Sequence, residues 1–228
     1  MYAANDIAKM IDHSVLRPNL TDDDVRRECA IAVEHDVASV CCAPSQVLFV
    51  KALIEGSNVK LSTVVGFPHG YNTIACKVFE TKEAVEAGVV EIDMVLNISR
   101  LLSRDFDYVR DEIRQVCDVA HARNAIVKVI LENCYLTDEL KEIACRLCEE
   151  AGADFVKTST GFGTGGATFP DLRLMRKAVS AKVQVKAAGG IRDLDSALLV
   201  RELGGTRFGC TTTRKLLADC ADRLSSKG

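Results

Sequence analysis

Short runs rich in β-branched and apolar residues alternate with amphipathic helical patterns along the whole 228-residue sequence. Strict alternation of this kind predicts an α/β fold, in which parallel strands carry helices on the faces of their sheet. Eight strands are predicted, at residues 12–16, 38–42, 60–66, 91–98, 125–132, 154–159, 183–188 and 206–210. Eight such units in a chain of this length fit a closed (β/α)₈ TIM barrel. The alternative is an open doubly wound sheet, but no GxGxxG motif follows the first strand.

Local signals mark the helix boundaries of this prediction. Thr21 stands three residues before Asp24 at the start of an apolar helical pattern, which is close to a capping box. Thr137 begins a similar helix, and Gly88 and Gly152 stand where helical patterns end. No linker or charge run interrupts the alternation, so residues 1–228 are predicted to form a single barrel domain.

Composition excludes several classes of protein. The net charge of −3 predicts no surface for nucleic acid or an anionic membrane. No run approaches the roughly 18 apolar residues of a membrane-spanning helix, and residues 1–10 lack a signal-peptide pattern. We therefore expect a cytoplasmic protein. The ten cysteines are irregularly spaced and are predicted to be free, mostly buried thiols; a zinc site or a redox pair is the weaker alternative.

Two strands carry a lysine among apolar residues and then run into small residues and glycine. Lys157 lies in FVKTSTGF at 155–162, and Lys186 lies in VQVKAAGG at 183–190. Burial and a nearby second cation both disfavour the ammonium form, and a neutral lysine can form a Schiff base with a carbonyl compound. A structural lysine whose charged end reaches solvent is the alternative, and the repetition of the pattern makes it the weaker one.

Acidic residues also lie within predicted apolar strands. Asp93 is in the fourth strand and Asp12 in the first, while the fifth strand carries Lys128. A buried carboxylate must be paired or hydrogen-bonded, and inward-facing lysines offer partners. Asp93 is therefore predicted either to form a structural ion pair or to move protons on a bound substrate, and both can hold for one residue.

Glycine and threonine follow the last three strands, where a barrel of this kind often binds phosphate. Glycine lets backbone N–H groups approach an anion, and threonine adds a hydroxyl donor. The alternative is that the glycines only form tight turns. The predicted phosphate-binding residues are Thr160, Gly161, Gly189, Gly190, Gly209, Thr211 and Thr212.

These segments together resemble deoxyribose-phosphate aldolase over almost the whole chain. The KTSTG and KAAGG motifs in this order are highly specific for that family. The resemblance is carried by IDHSVL at 11–16, VC at 40–41, VVGFP at 64–68, KVFETKEA at 77–84, EIDMV at 91–95, KVILE at 128–132, FVKTSTGF at 155–162, VKAAGGIR at 185–192 and RFG at 207–209.

The resemblance implies a class I aldolase that needs no metal and no cofactor. Such enzymes reversibly cleave 2-deoxy-D-ribose 5-phosphate to acetaldehyde and D-glyceraldehyde 3-phosphate. Lys157 matches the family's Schiff-base lysine, Lys186 the second lysine that keeps it neutral, and Asp93 the acid that assists proton transfer through water. Asp12 and Lys128 match further polar residues of the pocket. Homodimers and homotetramers are common in the family.

The sequence departs from the family pattern at a few positions. Some members end in a tyrosine that is proposed to help proton transfer, whereas this sequence ends in SSKG at 225–228. Cys42 and His69 stand where apolar residues are frequent, which predicts a change in pocket polarity or thiol reactivity. Two other functions stay open: a Schiff-base aldolase for a different phosphorylated sugar, and a non-catalytic sugar-phosphate-binding barrel.

Overall fold

The computed structural model describes residues 2–225, which contain a closed barrel of eight parallel strands. Each strand pairs with the next one along the chain, and β8 pairs with β1 to close the barrel. The strands are β1 (Ile11–Val15), β2 (Ser39–Cys42), β3 (Lys60–Val65), β4 (Glu91–Val95), β5 (Ile126–Ile130), β6 (Phe155–Lys157), β7 (Gln184–Ala187) and β8 (Gly205–Cys210).

Helices follow every strand and cover the outside of the barrel. A short helix precedes β1, and two helices rather than one connect β4 to β5. The helices are α1 (Ala4–Ala8), α2 (Asp22–Glu34), α3 (Val47–Leu53), α4 (Ile74–Glu86), α5 (Ile98–Leu102), α6 (Phe106–His121), α7 (Asp138–Glu150), α8 (Phe169–Ala178), α9 (Leu194–Glu202) and α10 (Thr213–Ser225). Short 3₁₀ turns occur at Pro44–Gln46 and Asn133–Tyr135.

The main apolar core lies between the outer face of the barrel and the helices. Because side chains alternate along a strand, each strand contributes every second residue to this core. On β4, for example, Ile92 and Met94 belong to the outer core, while Asp93 is buried inside the barrel. Alternate positions along a strand therefore separate the residues that pack against the helices from those that face the barrel interior.

The sequence predicted the fold and all eight strands, and the structure confirms both. The Thr21 side chain accepts a hydrogen bond from the Asp24 amide, so the predicted cap is confirmed. Thr137 likewise caps α7, and Gly88 and Gly152 have positive φ values of 100° and 87° after α4 and α7. The ten cysteines are free, and all but Cys76 and Cys134 are buried.

Three predicted strands are too long by two or more residues at their carboxyl ends; one of them, β6, ends at Lys157 rather than at residue 159. β4 ends at Val95, and Asn97 instead caps α5 by accepting a hydrogen bond from the Arg100 amide. β5 ends at Ile130, and Glu132 lies beyond it in a left-handed backbone conformation. Apolar residues continue past the ends of β4 and β5, so the apolar pattern predicted strands that are longer than the observed ones. Within residues 2–225 no helix is both long and apolar enough to cross a membrane.

Candidate active site

Seven charged side chains project from six strands into the barrel interior. They are Asp12 on β1, Glu91 and Asp93 on β4, Lys128 on β5, Lys157 on β6, Lys186 on β7 and Arg207 on β8. All except Arg207, which is half-buried, are buried from solvent. Buried charges must be paired to persist, and the contacts below pair all of them.

Asp93 is the centre of this cluster. Its Oδ2 atom accepts hydrogen bonds from Lys157 Nζ at 2.6 Å and from Lys186 Nζ at 2.7 Å. Its Oδ1 atom accepts one from Lys128 Nζ at 2.9 Å. Burial alone raises the pKa of the Asp93 carboxyl group, but the three ammonium groups outweigh it and hold the pKa well below its ordinary value. Asp93 is therefore an ionised group that holds two lysines of neighbouring strands beside each other.

A second set of ion pairs, which involves Asp12, Glu91 and Arg207, extends from the lysines around Asp93. Lys128 Nζ donates to Glu91 at 2.6 Å, and Arg207 donates from Nε to Asp12 at 2.7 Å and from a terminal nitrogen to Glu91 at 2.6 Å. Asp12 also forms an ion pair with Lys186 and accepts a hydrogen bond from Ser39 at 2.7 Å. The ion pair with Asp12 fixes Lys186 within this set.

The charges of the cluster do not cancel when every group is ionised. Four cationic groups, Lys128, Lys157, Lys186 and Arg207, face three carboxylates, Asp12, Glu91 and Asp93. The cluster becomes neutral if one lysine loses its proton. Because a net charge in a buried site is unfavourable, this imbalance favours one neutral lysine.

The contacts identify Lys157 as that lysine. It pairs with one carboxylate, Asp93, whereas Lys186 pairs with Asp93 and Asp12. Burial lowers the pKa of Lys157, Lys186 lowers it further, and Asp93 offsets only part of the effect. Burial also acts on Lys186, but the carboxylates of Asp12 and Asp93 outweigh it and raise its pKa. The two lysines are thus driven toward opposite protonation states.

A cavity of about 430 Å³ opens above these lysines at the carboxyl ends of the strands. Asp93 and Lys128 lie beneath it and do not line it, and Thr212 lies outside it. Arg17 and Arg192, which the sequence reasoning did not single out, also line it. The predicted site residues that line it are Asp12, Lys157, Thr160, Gly161, Lys186, Gly189, Gly190, Gly209 and Thr211.

Comparison with known proteins agrees with this geometry. Residues 7–217 match the family model described as DeoC/LacD family aldolase. The chain belongs to that family. The chain is 48% identical over 223 residues to a deoxyribose-phosphate aldolase of Rhodopirellula baltica, covering 98% of this chain and 92% of the relative. It is also 48% identical over 219 residues to one of Thermococcus kodakarensis, covering 95% and 98%.

A solved structure is similar over the whole barrel. It is the tetrameric deoxyribose phosphate aldolase of Aeropyrum pernix, which is 31% identical to this chain with a TM-score of 0.89. The similarity covers 97% of this chain and 93% of the solved one. The (β/α)₈ fold of this DeoC/LacD family member is therefore shared with an aldolase of known structure.

The loops after β6 and β7, residues 158–168 and 188–193, pack closely against each other at the cavity rim. A Cβ atom on Gly166 would lie 2.3 Å from the carbonyl oxygen of Gly189, so only glycine fits there. Gly161, Gly189 and Gly190 have φ values of 88°, 77° and 99°. In the described chain, residues 2–225, their backbone N–H groups have no protein acceptor. These amides are available to an anion in the cavity.

Two of the three threonines predicted as phosphate donors are engaged within the protein. Thr160 donates both its amide and its hydroxyl to Glu132. The Thr212 hydroxyl donates to the carbonyl oxygen of Arg192 at 3.2 Å. In this structure their side chains therefore stabilise the loops, whereas the sequence predicted that they would donate to phosphate.

The residues that departed from the family pattern lie away from the lysines. Cys42 faces the outer core, and its neighbour Cys41 lines the cavity above Lys157 and Lys186 instead. Burial raises the pKa of the Cys41 thiol, and the charge of Asp93 adds to the effect. His69 stacks on Tyr71 beside a neighbouring cavity of about 310 Å³, which shares Thr160 and Phe162 with the first. Only residue 225 of the final SSKG segment is among the described residues, so the question of the terminal tyrosine lies outside them.

The sequence reasoning missed Glu91 and Arg207 as members of the charged cluster. A usable signal was present, because Glu91 precedes Asp93 by two residues and side chains two apart on a strand share a face. Ser39, the hydrogen-bond donor to Asp12, carries no comparable signal. Its role depends on the pairing of β1 with β2, which places Asp12 beside Ser39.

Proposed function

We propose that this aldolase reversibly cleaves 2-deoxy-D-ribose 5-phosphate to acetaldehyde and D-glyceraldehyde 3-phosphate through a Schiff base on Lys157. The observation that carries the proposal is the buried lysine of lowered pKa, held 2.6 Å from Asp93 at the base of a cavity. The names of the relatives from Rhodopirellula baltica and Thermococcus kodakarensis support the same substrate.

The chemistry follows from a neutral amine at this position. Lys157 attacks the C1 aldehyde of the open-chain sugar, and loss of water gives an iminium ion. As the C2–C3 bond breaks, its electron pair moves into the iminium, and the proton of the C3 hydroxyl leaves through a water beside Asp93 and Lys186. D-Glyceraldehyde 3-phosphate departs, and a two-carbon enamine stays on the lysine. Protonation of the enamine and hydrolysis release acetaldehyde and regenerate Lys157.

Asp93 acts in this scheme mainly by position. Its lowered pKa makes it a weak base, so it is suited to holding Lys157, Lys186 and a proton-carrying water in place. Lys186 contributes a positive charge that keeps Lys157 neutral. Asp12 holds Lys186 through an ion pair, and Lys128 holds Asp93 through a hydrogen bond.

The phosphate group is proposed to bind at the glycine loops on the cavity rim. Among residues 2–225 the amides of Gly161, Gly189 and Gly190 have no protein acceptor, and Arg192 provides a positive charge at the same rim. Backbone amides that converge on a concavity form an anion site. The remaining predicted members of this site are Thr160, Gly209, Thr211 and Thr212. Binding energy from the phosphate then positions the reacting end of the sugar above Lys157.

We further propose the setting in which the enzyme works. It is a single catalytic barrel over residues 1–228 that acts in the cytoplasm on a small sugar phosphate and an aldehyde, without a metal or cofactor. The net charge of −3 supports the absence of nucleic-acid and membrane partners. The tetrameric relative from Aeropyrum pernix supports a homo-oligomer, either a homodimer or a homotetramer.

Borohydride trapping tests the proposal. Wild-type protein is incubated with acetaldehyde and borohydride, and peptide mass mapping locates the reduced two-carbon adduct. We expect the adduct on Lys157 and its loss in Lys157→Ala, together with release of D-glyceraldehyde 3-phosphate from the deoxy sugar phosphate by wild type. An adduct on Lys186 would exchange the two lysine roles. No adduct in folded protein that binds sugar phosphate would leave a non-catalytic binding barrel.

A further inference from the structure

Glu132 is a buried acid that the proposed chemistry does not use. It lies two residues beyond β5 and is only 2% exposed. Its backbone is left-handed, with φ 56° and ψ 63°. A residue other than glycine persists in this strained conformation only where its surroundings impose it, and such residues concentrate at functional sites. The conformation therefore calls for contacts that hold Glu132 in place.

Those contacts run to the segment that follows Lys157. The Glu132 carboxylate accepts hydrogen bonds from the Thr160 amide, at 3.2 Å, and from the Thr160 hydroxyl. The Thr160 hydroxyl oxygen in turn accepts the Phe162 amide at 3.0 Å. The carboxylate thus fixes the turn at 160–162, which contains Gly161.

The residues on either side of Glu132 reinforce this connection. The Leu131 amide donates to the carbonyl oxygen of Lys157 at 2.9 Å, and the Asn133 amide donates to that of Thr158 at 2.9 Å. The backbone after β5 is therefore bonded to the chain at 157, 158 and 160 in succession. Lys157 and the rim of the cavity are held by the same short segment.

The loop after β6 also lies directly against the carboxyl group. A Cβ atom on Gly163 would lie 3.1 Å from Glu132 Cδ and 3.0 Å from Cys134 Sγ. Within residues 2–225, which the structure describes, the Glu132 carboxylate forms no ion pair. Both groups that donate hydrogen bonds to this carboxylate belong to Thr160. A carboxylate near an anion site opposes anion binding electrostatically, so its benefit to such a site must be geometric.

We infer that Glu132 is a positioning residue for the substrate phosphate. Acting through Thr160, it holds the 160–162 turn so that the Gly161 amide stays at the cavity rim, and it takes no part in Schiff-base formation. This inference rests on the proposed function, because it assigns Glu132 to the phosphate end of that substrate.

Two variants of Glu132 test the inference with 2-deoxyribose 5-phosphate and phosphate-free 2-deoxyribose as paired substrates. Glu132→Asn keeps a residue that tolerates the left-handed backbone but is too short to reach Thr160. We expect it to raise KM for the phosphorylated sugar by at least about tenfold, because two hydrogen bonds to a charged group are lost. Its kcat for that sugar and its kinetics with the phosphate-free sugar stay near wild type. Glu132→Gln keeps one acceptor and gives a smaller rise.

Variants of the partner separate positioning from general stability. Thr160→Ser keeps the hydroxyl and is expected to raise KM less than Thr160→Val, which raises KM as Glu132→Asn does. The double variant Glu132→Asn/Thr160→Val is expected to be no worse than the poorer single variant, since both act through one contact. Glu139→Gln, which changes an exposed acid of α7, is the matched control and should leave the kinetics with both sugars unchanged.

The outcomes are distinguishable from a failure of the proposed function. A fall in kcat with both sugars, or slower borohydride trapping of acetaldehyde on Lys157, would place Glu132 in the chemistry and overturn the inference. An unchanged KM in folded Glu132→Asn and Thr160→Val would also overturn it. If Glu132→Asn does not fold by circular dichroism, Glu132→Gln and the Thr160 variants decide. Failure of the proposed function would instead appear in wild type, as no adduct or no preference for the phosphorylated sugar.

Discussion

At the scale of single residues, the site depends on the protonation states of two neighbouring lysines. Lys157 and Lys186 face each other across paired positions of β6 and β7 and share one oxygen of Asp93. Lys186 has a second carboxylate partner, Asp12, and this ion pair distinguishes it from Lys157. This additional ion pair favours the ammonium form of Lys186 over that of Lys157.

Replacing Lys186 by glutamine should reduce activity by raising the pKa of Lys157. The variant loses the cation that lowers this pKa and leaves Asp93 to favour the Lys157 ammonium form. Because the neutral amine is lost as pH falls below the lysine pKa, the acid limb of the kcat/KM profile should move to higher pH. Activity at neutral pH falls about tenfold for each unit of movement.

The measurement is the pH dependence of kcat/KM for wild type and Lys186→Gln. Lys182→Gln, at an exposed lysine just before β7, is the control and should keep the wild-type profile. A lower plateau with an unmoved acid limb would contradict this account. It would assign Lys186 a direct role in proton transfer instead.

Single residues also show what sequence reasoning can and cannot reach. Lys157, Lys186 and Asp93 were predictable because a charged residue inside an apolar strand must find a partner in the barrel. Cys41 and Cys42 were not separable, since both suit a buried face and only the register of β2 against β1 and β3 decides which points inward. The engagement of Thr160 by Glu132 depends on a contact 28 residues apart along the chain.

At the scale of elements, the order of strands and helices was predictable while the shape of their connections was not. The β/α alternation fixes which strand ends share a rim, and therefore which loops meet there. It does not show that the loops after β6 and β7 touch. That contact depends on Gly166 and Gly189, through amide donation from Ala167 to the carbonyl oxygens of Ala188 and Gly189 at 2.9 Å.

Gly166→Ala should therefore weaken substrate binding as well as stability. The new methyl group would meet the Gly189 carbonyl oxygen at 2.3 Å, so the two loops must separate. We expect a loss of about 1–3 kcal/mol in the free energy of unfolding, typical of overpacking, and a raised KM for 2-deoxyribose 5-phosphate. Urea unfolding and steady-state kinetics measure the two effects.

A glycine elsewhere separates the two effects. Gly152, after α7, has open space around it but a φ of 87°. Gly152→Ala should lose about 1–2 kcal/mol through backbone strain alone and keep the wild-type KM. If Gly166→Ala also kept the wild-type KM, the contact between the loops would have no part in shaping the site.

At the scale of the whole molecule, the charged interior also closes the barrel. β1 and β8, the first and last strands, pair with each other, and Arg207 on β8 donates a hydrogen bond to Asp12 on β1. Asp12 further binds Lys186 on β7, Lys128 on β5 and Ser39 on β2. One carboxylate thus connects five strands, so the groups that tune the lysines also contribute to the stability of the fold.

Asp12→Asn should accordingly change how stability depends on pH. Burial raises the pKa of Asp12, but Lys128, Lys186 and Arg207 outweigh it and hold the pKa far below its ordinary value. Its contribution is therefore present above the pKa of the unfolded chain, about 3.9, and is lost as pH falls toward the folded value. At neutral pH we expect the variant to be less stable by about 3–5 kcal/mol, because its cationic partners stay buried.

That deficit should shrink by about 1.4 kcal/mol for each pH unit below roughly 3.9, since only wild type has this carboxylate to protonate on unfolding. Urea unfolding followed by circular dichroism between about pH 2.5 and 7 measures the difference. Asp118→Asn, at an exposed position of α6, should run parallel to wild type over the same range. A deficit in Asp12→Asn that stayed constant with pH would mean that Asp12 stabilises the barrel by its shape and hydrogen bonds, and that its charge contributes nothing.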